Sequence, residues 1–215
     1  PQEPSRCSPP SPARVMSRVT DIDQTLTRTN IQLDPTGQST MGFVIADAQL
    51  EATKGANVGG AQLAFMNPGG VRADLVRDPA EPSDKGAVTY GEAFTVQPFG
   101  NSLVTLTLTG AQFERLLEQQ WPNATTTRIL QPSAGFTYAF SASAPVGAKV
   151  DPASLQLNGV AIDPAASYRV TVLAEGTNPL GGAVDTDALE AYLSAKSSEA
   201  APLPVPALDR ITRLP

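Results

Sequence analysis

The run A61-Q-L-A-F-M-N-P-G-G-V-R-A-D-L75 joins two signals. Residues 61–66 form a short apolar stretch with the length of a buried strand. The stretch opens straight into Asn67, Pro68, Gly69 and Gly70, which break any regular continuation. Arg72 follows two residues later. A strand end, two glycines that expose backbone N–H groups and a guanidinium fork together suit an anion such as phosphate. The same residues also make a plain glycine turn with a solvated arginine, and residue chemistry alone leaves both readings open.

Outward from this strand the pattern is mixed. Ser39 or Thr40 is placed to cap a helix over 39–53, with Met41, Val44, Ile45, Ala48 and Ala52 at helical spacing. Upstream, V15-M-S-R-V-T-D-I22 alternates loosely and predicts a strand, and residues 77–88 read as a polar loop. In 102–109, Val104, Leu106 and Leu108 share one face and threonines fill the other, the pattern of a half-buried strand. Thr109 and Gln112 then form the capping box of a helix that buries Phe113, Leu116, Leu117 and Trp121.

Phe136, Tyr138 and Phe140 alternate in a further strand. Asn158-Gly159 between two apolar runs predicts a two-residue hairpin. Strands are also expected at 168–172 and 210–214, with a last helix from about 186 to 195 burying Leu189, Tyr192 and Leu193. Helices interspersed with hairpins, without a regular β-α-β rhythm, predict an α+β domain: a mixed β-sheet with helices packed on it.

The chain's 215 residues suffice for a sizeable core, since a domain of this size buries about 70% of its unfolded surface. Five prolines within residues 1–12 predict an extended tail or linker, leaving 13–215 as the domain. A net charge of −6 argues against a general nucleic-acid or anionic-membrane binder, though not against one local arginine site. No apolar run reaches the roughly eighteen residues of a membrane span. With no histidine and the single Cys7, the usual zinc sites and the Ser-His or Cys-His nucleophile pairs are excluded, and no disulfide closes within the chain. No signal peptide is legible, and the start in P-Q-E-P reads as that of a processed or truncated product.

A second candidate segment is Q97-P-F-G-N101. Pro98 and Gly100 make a tight turn just before a strand, which presents Phe99 at an edge, where its face can stack on a nucleobase. Asn101 offers a donor and an acceptor to a base or sugar edge. The alternative is that Phe99 fills a core gap, as single phenylalanines usually do. Asp47, Asp74, Asp185 and Asp187 form no paired-carboxylate motif. Asp74 is expected to pair with an arginine or cap a turn, Asp185 or Asp187 to begin a helix, and the acidic residues of the first and last helices to face solvent.

Four motifs in order, A46-D-A-Q49, A64-F-M-N-P-G-G-V-R-A-D-L75, Y90-G-E-A-F-T-V-Q-P-F-G-N-S-L103 and L130-Q-P-S-A-G-F136, resemble the C-terminal domain of the 5′-nucleotidase / UDP-sugar hydrolase family over roughly residues 13–214. The resemblance implies a secreted, periplasmic or surface-attached protein and a nucleotide or nucleoside substrate. It implies substrate-binding residues at Asn67, Gly69, Gly70, Arg72, Phe99 and Asn101, with Phe99 as one jaw of an aromatic clamp. No catalytic residue, metal or cofactor is expected in this chain. A divalent metal pair is expected instead in an N-terminal metallophosphoesterase domain of the same polypeptide, so the isolated chain is expected to be inactive.

Departures from the family pattern are equally specific. The stretch D34-P-T-G-Q-S-T-M41 lacks the family's phosphate-contacting arginine, and Phe43 stands where an Asn is customary. The glycine-rich loop that carries the second aromatic jaw has no counterpart after Tyr168, so a loop is expected to be missing between Val172 and Leu173. Three functions follow: the specificity domain of a nucleotide phosphohydrolase, a stand-alone nucleotide- or anion-binding module, or a surface-interaction domain that has lost binding.

Overall fold

Two four-stranded sheets share one aromatic core, and helices cover the outer face of one of them. The computed structural model describes residues 10–28, 34–78, 86–123, 125–174 and 183–215. Cys7, most of the proline-rich start and the middle of the expected 77–88 loop lie outside the described residues. In chain order the elements are α1 (Pro12–Val15), β1 (Arg18–Asp21), α2 (Thr40–Thr53), β2 (Leu63–Met66), β3 (Ala87–Thr89), α3 (Tyr90–Val96), β4 (Ser102–Thr109) and α4 (Gly110–Glu118). They continue with β5 (Gln131–Pro132), β6 (Phe136–Ser141), β7 (Val150–Leu157), β8 (Val160–Ala161), β9 (Ser167–Ala174), α5 (Asp185–Lys196) and β10 (Ile211–Leu214).

The first large sheet has the order β4-β9-β2-β5. Strand β9 is antiparallel to β4 over residues 167–174 and parallel to β2. The second sheet, β10-β6-β7-β8, likewise mixes one parallel pair with antiparallel ones. This is the expected α+β mixed-sheet architecture.

Strand β2 explains the two-sided core. All four of its residues are buried, as in a strand covered on both faces. Leu63 and Phe65 join Phe113, Leu117, Trp121, Phe136 and Tyr138 between the sheets and α4. Met66 instead joins Met41, Val44, Ile45, Leu189 and Leu193 from α2 and α5. Where β9 meets the helical side, the buried Thr171 hydroxyl bonds to those of Thr53 (2.6 Å) and Thr105 (3.1 Å) and so is not stranded.

Local chemistry sets most boundaries. Ser39 caps α2 by accepting the Gly42 N–H at 2.9 Å. Thr109 and Gln112 form the expected capping box of α4. The Asn158-Gly159 turn has φ of 52° and 76°, both left-handed, as a type I′ hairpin requires.

Several expectations need correction. The strand expected from Val15 begins only at Arg18, because Ser11 and Pro12 cap and start a short helix first. Leu106 is 44% exposed rather than half-buried, since β4 is an outer strand of its sheet. Asp47 does not face solvent: Arg210 grips it with two nitrogens, each at 2.8 Å, while stacking over the buried Phe43 ring at 4.2 Å.

In this chain Val172 and Leu173 are consecutive rungs of β9, opposite Val104 and Leu103 in one unbroken register. The segment that follows β9, residues 175–182, lies outside the described residues.

The Asp47–Arg210 pair generates a prediction. Arg210→Ala strands a mostly buried carboxylate and also removes the bond to the Pro132 carbonyl (2.8 Å). Breaking such a pair costs about 3–5 kcal/mol, and urea denaturation should show a loss of that order.

Candidate functional site

Strands β2 and β9 run parallel and end on the same side of their sheet. In sheets of this kind ligands collect at the carboxyl ends of the parallel strands. A cavity of about 630 Å³ lies there. Phe65 of β2, Val172 and Leu173 of β9, and Leu116 and Leu130 give it apolar walls, while Asn67, Gly69, Gly70, Phe99 and Asn101 complete the lining. A second hollow of about 460 Å³ shares Asn67, Gly69, Leu116 and Leu130 and is bounded by Gln119, Gln120 and Arg128.

Five of the six sequence-predicted residues therefore meet in one place. Phe99 is 46% exposed, so it does not fill a core gap. Gly100 makes this exposure possible: its φ of 64° turns the chain back after the ring into β4. Asn101 is half-buried and Asn67 exposed. Arg72 lines neither hollow but stands at the edge of the first. Its guanidinium lies 5.7 Å from the Phe99 ring centroid, and Nη1 donates to the Gly69 carbonyl at 3.1 Å.

Gly70 differs from its predicted role. Pro68–Gly70 is a 3-10 turn in which the Gly70 N–H donates to the Asn67 carbonyl at 3.1 Å, so that donor is engaged within the turn. What Gly70 supplies is space. A Cβ there would stand 2.5 Å from Met66 Cε and 3.2 Å from Asn67 Oδ1, whereas at Gly69 the nearest atom is Asn67 Nδ2 at 3.7 Å. Met66 is itself held from both sides by amide donors, Gln49 Nε2 at 3.2 Å and Gln97 Nε2 at 3.8 Å.

Sequence reasoning missed the apolar walls and the support beneath Phe99. Val172 and Leu173 line the cavity together with Phe65, Leu116 and Leu130. No second aromatic other than the buried Phe65 lines this cavity among the described residues. Asp185, expected only to begin a helix, is fully buried as the first residue of α5. Burial pushes its carboxyl above the usual carboxylate range, and the N–H groups of Thr186, Asn101 and Gly100 pull it partly back. Asp74 pairs with an arginine as expected: it accepts the Arg28 N–H at 2.8 Å and lies 3.7 Å from the Nε of the same residue. Among the described residues no three His, Cys, Asp or Glu side chains gather as a metal-holding group.

Residues 15–174 match the family model for the 5′-nucleotidase, C-terminal domain, and the chain belongs to that family. Among similar proteins, the trifunctional nucleotide phosphoesterase protein YfkN of Bacillus subtilis is 37% identical over 139 residues, 63% of this chain and 9% of its own length. Cell wall protein Lmo0130 of Listeria monocytogenes is 39% identical over 106 residues, 48% of this chain and 13% of its own. The crystal structure of a 5′-nucleotidase precursor from Thermus thermophilus superposes with a TM-score of 0.67 at 27% identity, over 94% of this chain and 40% of that one. The chain thus spans only about a tenth of the length of these two curated relatives.

The glycine geometry separates two substitutions. Gly70→Ala should cost about 1–2 kcal/mol through overpacking against Met66 and Asn67. Gly69→Ala should stay within about 0.5 kcal/mol of wild type. Chemical denaturation measures both, and the Asn67 side-chain amide resonances should shift only in Gly70→Ala.

Proposed function

We propose that this chain is the nucleotide-holding part of a 5′-nucleotidase-type phosphohydrolase. The observation that supports this reading most is the half-exposed Phe99 ring facing a cavity about 630 Å³ in volume, with a guanidinium at its edge. A purine or pyrimidine lies with one face on Phe99 and the other toward Val172 and Leu173. Asn101 and Asn67 supply amide donors and acceptors to base or sugar edges. Arg72 meets the phosphate end, where a planar fork matches two phosphate oxygens at once.

Cleavage belongs elsewhere in this scheme. The metals that activate water are assigned to a metallophosphoesterase domain of the same polypeptide. The names of the relatives support a nucleotide as substrate and a location at or outside the cell envelope. A second reading, binding or surface interaction without catalysis, is favoured by one observation. Phe43 is buried under Arg210 and so offers no contact in place of the customary Asn.

Calorimetric titration with AMP, adenosine and phosphate tests the reading. Phe99→Ala should weaken adenosine binding by about 1–3 kcal/mol, the range for base–aromatic stacking. Arg72→Ala should weaken AMP but leave adenosine unchanged. The chain alone should release no phosphate from AMP with added divalent metal, and turnover that survives repurification would falsify the division of labour. Failure of all three ligands to bind would favour the surface-interaction reading.

A further inference from the structure

The turn that carries Phe99 is not held by its own strand alone. Residues 183–186, which lead into α5, lie alongside residues 97–103 as a strap. The Leu103 N–H donates to the Ala183 carbonyl at 3.0 Å, and Ser102 bridges Val184. The Asp185 N–H donates to the Asn101 carbonyl at 2.9 Å, and the Thr186 hydroxyl donates to the Gln97 carbonyl at 2.8 Å. The two carbonyls at either end of the Phe99 turn are therefore both capped from one helix terminus.

The Asp185 side chain completes the grip. Its Oδ1 accepts the Thr186 N–H at 2.7 Å and the Thr186 hydroxyl at 3.2 Å. The backbone N–H groups of Asn101 and Gly100 favour the charged form of this carboxyl, against the burial that raises its pKa. The buried Oδ2 has no hydrogen-bond partner. A fully buried carboxylate with one oxygen unbonded is an expensive way to start a helix.

We propose that Asp185 and Thr186 are positioning residues for Phe99, holding the 97–101 turn so that the ring stays presented to the cavity as one wall for a base. This inference rests on the proposed stacking of a base on Phe99, but the positioning itself has a readout that needs no ligand. Asp185→Asn keeps size and turns one oxygen acceptor into a donor that opposes the Gly100 and Asn101 N–H groups. Thr186→Val keeps shape and removes the donor to Gln97.

The 215-residue chain labelled with 4-fluorophenylalanine provides the test, the Phe99 fluorine resonance being assigned with Phe99→Leu. Both variants are expected to melt within about 5 °C of wild type, a change of one or two kcal/mol at this size. Their Phe99 resonance is expected to shift and broaden, while those of the buried Phe65, Phe113 and Phe136 stay fixed. Adenosine should bind roughly tenfold more weakly, about 1.4 kcal/mol, and ribose 5-phosphate should bind as in wild type. An unchanged Phe99 resonance in both folded variants overturns the proposal. So does adenosine affinity that falls in Phe99→Ala but in neither of the two variants. If wild type binds no adenosine, the stacking reading fails, and the fluorine resonance alone decides whether Asp185 and Thr186 position the ring.

Discussion

Strand β9 has to satisfy backbone partners on both edges and side-chain partners on both faces, and the rest of the molecule is arranged around that demand. One edge takes β4 antiparallel and the other takes β2 parallel. Val170 faces the aromatic core between the sheets, and Thr171 faces the helical side. A strand so placed tolerates neither a register slip nor an unpaired polar group. Replacing a two-sided strand by an edge strand would leave β2 and β4 without a common partner.

The cavity follows from the same constraint. Because β9 and β2 are parallel, their ends release Leu173 and Asn67 on one side, and β4 starts there with Asn101 just before it. Rigid strands thus supply the apolar walls, while two glycine-containing turns supply the polar groups. The turns have separate supports: the Asn67 turn rests on Met66 between two glutamine amides, and the Phe99 turn rests on the start of α5. A ligand touching both turns would sense the packing of α2 and α5 through them.

Much of this is legible in the sequence because some residues admit few conformations. Asn158-Gly159 announces its hairpin, and Thr109 with Gln112 announces the start of α4. The alternation of Phe136, Tyr138 and Phe140 marks a buried strand. The order of short motifs points to the family and the six candidate residues. Helix α3 escapes a reading of its residues as a motif alone, although Thr89 and Glu92 form a capping box just as clear as that of α4. The roles of Gly70 and Asp185 are not legible at all. Whether a glycine offers its N–H or its empty space depends on what packs beside it, here Met66 and Asn67. Whether an aspartate at a helix start is solvated or buried depends on a turn more than eighty residues away.

The central claim is that the cavity beside Asn67 holds a nucleoside with its base on Phe99. Intermolecular nuclear Overhauser effects between adenosine and the isotope-labelled chain test it most directly. The account predicts contacts from the adenine H2 and H8 protons to the Phe99 ring and to the methyl groups of Val172 or Leu173. Adenine contacts confined to another surface, with none to Phe99, would contradict it.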